Sequence, residues 1–212
     1  LTELTRLSLQ GGSLVSLATE IGDLSKLIYL NLNGNRLESL PAGIGNFSSL
    51  EELYVAEQRE RINTSQYVAT LTSLPNEIGN IPTLEKLDLN SNGLTSLPAG
   101  IGNFANLKEL NISSQTTSPV QYQTSYTLTN LPDEIGNITS LEKLQLNNNV
   151  LTSVPTTIGN LSSLIELRLG GNELTALPTT IGGLTSLEQL FISYNGRYNK
   201  LTSLPDEIGD LA

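Results

Sequence analysis

Apolar residues along this chain recur in a fixed order rather than in blocks. Aligning on a Leu-Pro step puts Pro41, Pro75, Pro98, Pro132, Pro155, Pro178 and Pro205 in one register, with Ala18 in the same slot. Successive positions differ by 23, 34, 23, 34, 23, 23 and 27 residues, so the base unit is 23 with insertions of 11, 11 and 4. Such a period marks a solenoid, in which each unit packs only on its neighbours. In the unit that starts at Leu84, alternation at Leu87 and Leu89 predicts a short strand with one buried face. Asn92 follows at the turn, where a side-chain amide can bond free backbone groups of adjacent coils. Its equivalents are Asn35, Asn149, Asn172 and Asn195, which predicts a stacked ladder. Pro98 is suited to start a helical turn and Gly102 to a left-handed exit. Stacking these units predicts an α/β solenoid, a horseshoe or superhelix of about eight coils over residues 1–212. A parallel β-sheet would line its concave side and short helical or 3-10 turns its convex side.

A longer period lies on top of the first. Residues 39–47 recur unchanged at 96–104, which is 57 residues later, or one plain unit plus one carrying an insertion. The insertions fall near 57–69, 115–127 and 195–200, each at the corner just after a strand. Val120, Tyr122, Thr124 and Tyr126 alternate with polar residues, as the arm of a hairpin would. The first two insertions are two coils apart, so they should leave one edge about 10 Å from each other. The first carries Tyr67, and the short third one carries Tyr194 and Tyr198. They read either as tolerated surface decoration or as a continuous ridge for binding or self-association.

With 21 acidic and 11 basic residues the chain has a net charge of -10, which opposes binding to nucleic acid or to an anionic membrane. It contains no Cys, His, Met or Trp. That removes thiolate and imidazole nucleophiles, general bases and metal ligands. No apolar run is long enough to insert in a bilayer as a helix. Acidic residues such as Glu134, Asp206 and Glu207 sit in the Pro-x-Glu-Ile-Gly turns, where a carboxylate near a helical start is ordinary. Neither a phosphate cradle nor a carboxylate pair in a cleft is indicated, and the expectation is no enzyme activity and no cofactor.

The pattern LxxLxLxxNxLxxLPxxIGxL resembles the leucine-rich-repeat superfamily, and its 23-residue form is similar to the Ras-group repeats of plants and animals. The resemblance covers essentially the whole chain outside the insertions. It implies a non-catalytic scaffold that binds a protein partner on its concave sheet. The chain opens at Leu1 partway through a repeat and neither end shows a recognisable polar cap, so the expectation is a single segment of a longer array. Leu1 and Leu211 share one repeat phase, which raises the alternative of a structural protein whose copies stack end to end into an extracellular fibre or surface layer.

The outward strand positions form two columns. The first reads Arg6, Tyr29, Glu52, Lys86, Glu109, Lys143, Glu166 and Gln189; the second reads Ser8, Asn31, Tyr54, Asp88, Asn111, Gln145, Arg168 and Phe191. Alternating Glu and Lys down the first column can pair as a ladder on a self-satisfied, solvated face. Read instead as a ligand surface, the sheet offers Tyr29, Tyr54, Asp88, Arg168 and Phe191, and the insertions add Tyr67, Tyr122, Tyr126, Tyr194 and Tyr198. The partner is then a protein, a further copy of the chain, or a glycan. N-glycosylation sequons occur at Asn46, Asn63, Asn111, Asn137 and Asn160, against roughly four expected by chance from the composition. Asn46, Asn137 and Asn160 share one slot on the turn side. Abundant Ser, Thr and Asn favour an extracellular or cell-surface location, whereas the Ras-group resemblance favours the cytoplasm.

Overall fold

A computed structural model describes residues 3–63, 66–120 and 123–211, with backbone only for 118–120 and 123–124. Among them, each three-residue strand follows from the alternation around one central leucine. The strands are Arg6–Ser8, Tyr29–Asn31, Glu52–Tyr54, Lys86–Asp88, Glu109–Asn111, Lys143–Gln145, Glu166–Arg168 and Gln189–Phe191. They form one parallel sheet in sequence order, with Leu7, Leu30, Leu53, Leu87, Leu110, Leu144, Leu167 and Leu190 in register. The register is unbroken across both 34-residue units, where Leu53 pairs with Leu87 and Leu110 with Leu144. The predicted columns are therefore the outward faces of this sheet.

Each coil closes through a five-residue 3-10 turn on the convex side, such as Ala42–Asn46 or Ala99–Asn103. Pro98 does not start the turn. It stands just before it in extended conformation (φ -71, ψ 153), and its carbonyl accepts the Ile101 N–H at 3.0 Å. Gly102 is not a left-handed exit either. A Cβ there would lie 2.6 Å from the Glu134 carbonyl oxygen of the next coil, so the glycine is required by the close approach of adjacent turns. The left-handed residues sit instead at the corner after each of the first seven strands: Gly11, Gly34, Glu57, Ser91, Ser114, Asn148 and Gly171.

Between sheet and turns runs a column of buried Leu, Ile and Phe; Leu30, Leu32, Leu37, Ile44 and Leu50 in one coil are fully inaccessible. The corner amides seal the other side. Asn35 Nδ2 donates to the carbonyls of Leu9 and Leu32 (both 2.8 Å), and Asn92 Nδ2 to those of Val55 (2.8 Å) and Leu89 (2.9 Å). Asn149 and Asn172 repeat the arrangement. Asn195 does not join the ladder. It lies at an exposed hairpin tip, and Asn199 takes the slot, donating to Leu169 (3.0 Å) and Ile192 (2.8 Å). Two members are glutamines: Gln58 Nε2 donates to Leu32 (2.8 Å) and Gln115 Nε2 to Leu89 (2.8 Å), both fully buried.

All three insertions are antiparallel hairpins. Arg59–Arg61 pairs with Tyr67–Ala69, Thr116–Val120 with Gln123–Tyr126, and Ser193–Tyr194 with Arg197–Tyr198. The last turns through Asn195 and Gly196, both at positive φ, as a two-residue hairpin with the twist of its strands requires. Tyr122 and Leu1, each of which carried an expectation, lie outside the described residues.

Candidate recognition surface

The concave sheet groups its outward side chains into three zones. At the amino-terminal end the Tyr29 and Tyr54 rings meet with centroids 5.4 Å apart, tilted by 46°. The Arg6 guanidinium caps Tyr29 at 4.0 Å, and the Lys86 ammonium lies 5.7 Å from the Tyr54 ring. The Tyr54 hydroxyl donates to Glu52 Oε2 at 2.6 Å. Burial and that carboxylate together push the phenol well above its ordinary range.

In the middle, Glu109 accepts from Lys143 (2.7 Å) and Lys86 (2.9 Å). The Lys143 hydrogen bond, with Lys86 adding to it, holds the Glu109 carboxyl below the usual range. The same bonds raise both lysines. Stabilisation from Glu109 is thus present above the ordinary glutamate pKa and is lost as pH falls through the depressed value. The expected ladder extends no further. Glu52 is taken by Tyr54, and Glu166 pairs with Arg168 two residues on, which shares its face of the strand. Asp88 stands beside this zone, its carboxyl raised by burial. Its Oδ1 accepts the Asn90 N–H at 3.0 Å, as Asn31 and Asn111 do for the residues two places after them.

At the carboxy-terminal end the Arg168 guanidinium lies 4.5 Å from the Phe191 ring, which is 39% exposed.

The hairpins form a second surface along one edge. Arm Tyr67–Ala69 lies against Thr116–Val120, so the first two hairpins touch, closer than the roughly 10 Å expected between their points of departure. Arg197 then stacks on Tyr126 at 4.3 Å and ties the third hairpin to the second. Arg59 stacks on Tyr67 at 4.9 Å. Tyr198, 74% exposed, and Tyr194 are presented outward. The structure thus brings Tyr29 and Tyr54 together, keeps Asp88 near the central zone, and places Arg168 and Phe191 in a separate pair. Tyr67, Tyr126, Tyr194 and Tyr198 lie on the ridge. Asn46, Asn137 and Asn160 end convex turns and are exposed, Asn63 is exposed near a hairpin tip, and Asn111 is half-buried in the concave sheet. Sequence reasoning missed the flanking column: Glu51, Glu85, Lys108 and Glu142, one residue before each strand, with Lys108 bonded to Glu85 at 3.0 Å. The repeat register places them there, but counting only strand residues leaves them out. Among the described residues no helix is long and apolar enough to cross a membrane, and no His, Cys, Asp and Glu cluster could hold a metal ion.

A parallel sheet built one strand per coil, closed by short convex turns, defines the repeat-solenoid class. Three family models match: "Leucine rich repeat" over residues 2–57, "Leucine Rich repeats (2 copies)" over 82–121 and "Leucine-rich repeat region" over 122–212. The chain belongs to the leucine-rich-repeat superfamily, whose fold is that of a protein-interaction scaffold. It is similar to a leucine-rich-repeat protein of Leptospira interrogans, at 34% identity and a TM-score of 0.83 over 99% of this chain and 47% of that one. It is also similar to the plant peptide hormone receptor RGFR1, solved in complex with RGF2, at 32% identity and TM-score 0.75 over 100% of this chain and 31% of the receptor. The PEPR1 chain of a PEPR1–AtPEP1 crystal structure follows at 27% identity and TM-score 0.66, over 94% and 25% respectively. The chain therefore spans less than half the length of each of these relatives. No curated protein matches it.

Proposed function

We propose that this chain is a non-catalytic recognition module that binds a peptide or protein segment along its concave sheet, with the hairpin ridge as a flanking contact. One observation carries the reading: both ends of an unbroken sheet bear half-exposed aromatic rings already stacked by arginine. Surfaces that bind proteins concentrate energy in such aromatic and arginine anchors. One of the similar chains is named as a peptide hormone receptor in complex with RGF2, which agrees with this choice of partner. The absence of histidine and cysteine from the sequence leaves the polar face suited to pairing rather than to nucleophilic chemistry. We place the module outside the cell or at its surface, on its Ser, Thr and Asn content.

The test is to pan a random peptide library on the 212-residue protein and counter-screen the selected clones. A triple variant, Tyr29→Ala, Tyr54→Ala and Phe191→Ala, should lose the enriched clones. Retention by that variant, with loss on replacing Tyr67, Tyr194 and Tyr198, would move the site to the ridge. No enrichment at all would sink the reading. Electron microscopy of the same sample separates the structural alternative, since end-to-end stacking produces filaments and a binding module discrete particles.

A further inference from the structure

The concave anchors have a separation and a charge between them that together specify a partner. Tyr54 stands on the third strand of the sheet and Phe191 on the eighth. Five inter-strand steps of about 4.8 Å put them about 24 Å apart, which an extended chain covers in about seven residues. Ile28, 37% exposed beside Tyr29, widens the apolar area at the first anchor.

Beside the line from Tyr54 to Phe191, toward the starts of the strands, runs a trough of about 250 Å³ along the third to sixth strands. Five carboxylates (Glu51, Glu52, Glu85, Glu109 and Glu142) line it against two ammonium groups (Lys86 and Lys108). Lys86 and Lys108 are used by Glu109 and Glu85, at 2.9 and 3.0 Å. Glu51 and Glu142 have no ion pair among the described residues. With Asp88, Glu166, Lys143 and Arg168 added, the outward and flanking positions of the third to seventh strands carry seven carboxylates against four cations, so the middle of the path has surplus negative charge while its two ends are aromatic.

Resting on the concave reading above, we infer that the partner is an extended basic peptide segment. It bears two apolar or aromatic side chains about seven residues apart, with lysine or arginine between them. The apolar side chains seat on Tyr29–Tyr54 and on Phe191. The intervening cations face Glu51, Glu85 and Glu142, where a positive partner relieves like-charge crowding and an acidic one is repelled.

A synthetic decapeptide with phenylalanine at its second and ninth places and three lysines between them is the probe. It is titrated calorimetrically against the 212-residue protein at low and high salt. Two controls accompany it, one with glutamate for each lysine and one with alanine for each phenylalanine. The lysine peptide should bind about tenfold or more tighter than either control, with the charge preference shrinking at high salt. Glu51→Gln with Glu142→Gln, which breaks no ion pair of the described residues, should erase the preference for lysine over glutamate while leaving the circular dichroism unchanged. Equal binding of the lysine and glutamate peptides overturns the inference. If Tyr54→Ala then weakens both alike, the concave reading stands without it. If both bind Tyr54→Ala and Phe191→Ala undiminished, both readings fall. Binding by none of the three peptides also overturns the inference, and the concave reading is then decided by the panning.

Discussion

A carbonyl at the inner corner of a coil has no strand opposite it, and burying it unpaired costs about 1–3 kcal/mol. From the second coil on, one primary amide per corner removes that cost for two carbonyls at once, one in its own coil and one in the coil before. The amide oxygen accepts a further N–H, as Asn199 Oδ1 does from Leu174 at 3.1 Å. Asn199→Ala should therefore cost about 2 kcal/mol, since three groups lose their partner at a half-buried site. Asn195→Gly, at the exposed left-handed tip, should stay within about 0.5 kcal/mol. Urea denaturation midpoints decide it, and a larger loss at Asn195 would contradict the ladder assignment. Counting five places on from Leu53 and Leu110 lands on Gln58 and Gln115, so the register already carries these ladder members. Limiting the ladder to asparagine hides them, because the slot is the same and only the residue type differs. The same count from Leu190 lands on Asn195 and misleads, because the hairpin displaces the slot by four residues.

At the scale of elements, strands and turns are readable because each depends on residues a few places apart. How the hairpins lean depends on the backbone direction at the corner, which no local pattern encodes. Gly170 and Gly171 are the one local sign of it. A Cβ on Gly170 would come within 2.4 Å of the Ser193 backbone carbon and 2.7 Å of Tyr194 Cβ, so the third hairpin folds flat over that corner only because the side chain is missing. Gly170→Ala should cost about 1–3 kcal/mol. It should speed amide hydrogen exchange at Ser193–Tyr198 and separate Arg197 from Tyr126, while Glu166–Arg168 keeps its protection. Unchanged exchange in the hairpin would show that it rests on other contacts. Gly102 teaches the complementary point. The sequence shows that a glycine is needed there, but whether dihedral freedom or a neighbouring backbone demands it is settled only by the packing of the next coil.

For the whole molecule, the core is a stack in which interior coils have neighbours on two sides. Leu87, Leu110, Leu144 and Leu167 are essentially inaccessible, whereas Leu7 and Leu190 in the outer strands are only partly buried. Stability should then be graded rather than uniform. In the 212-residue protein, hydrogen exchange should be slowest from Lys86 to Arg168 and rise toward both outer coils. Equal protection along the chain would argue for one all-or-none unit. The columns of the concave face are legible in the sequence because parallel register copies each strand position onto the next. Which partner each charge takes is not, since Glu166 can turn to Arg168 as readily as to Lys143, and only side-chain geometry chooses.

The register that passes undisturbed across eleven extra residues between Leu53 and Leu87 separates two kinds of heritable change. Substitutions in the leucine frame are constrained by the coils directly above and below. Whatever leaves through a corner answers only to its own closure and to the neighbour it touches. Each left-handed corner thus acts as a port at which segments of new length and composition can be exchanged. A lineage built on this plan can revise what it binds while the frame that holds the binding surface stays the same.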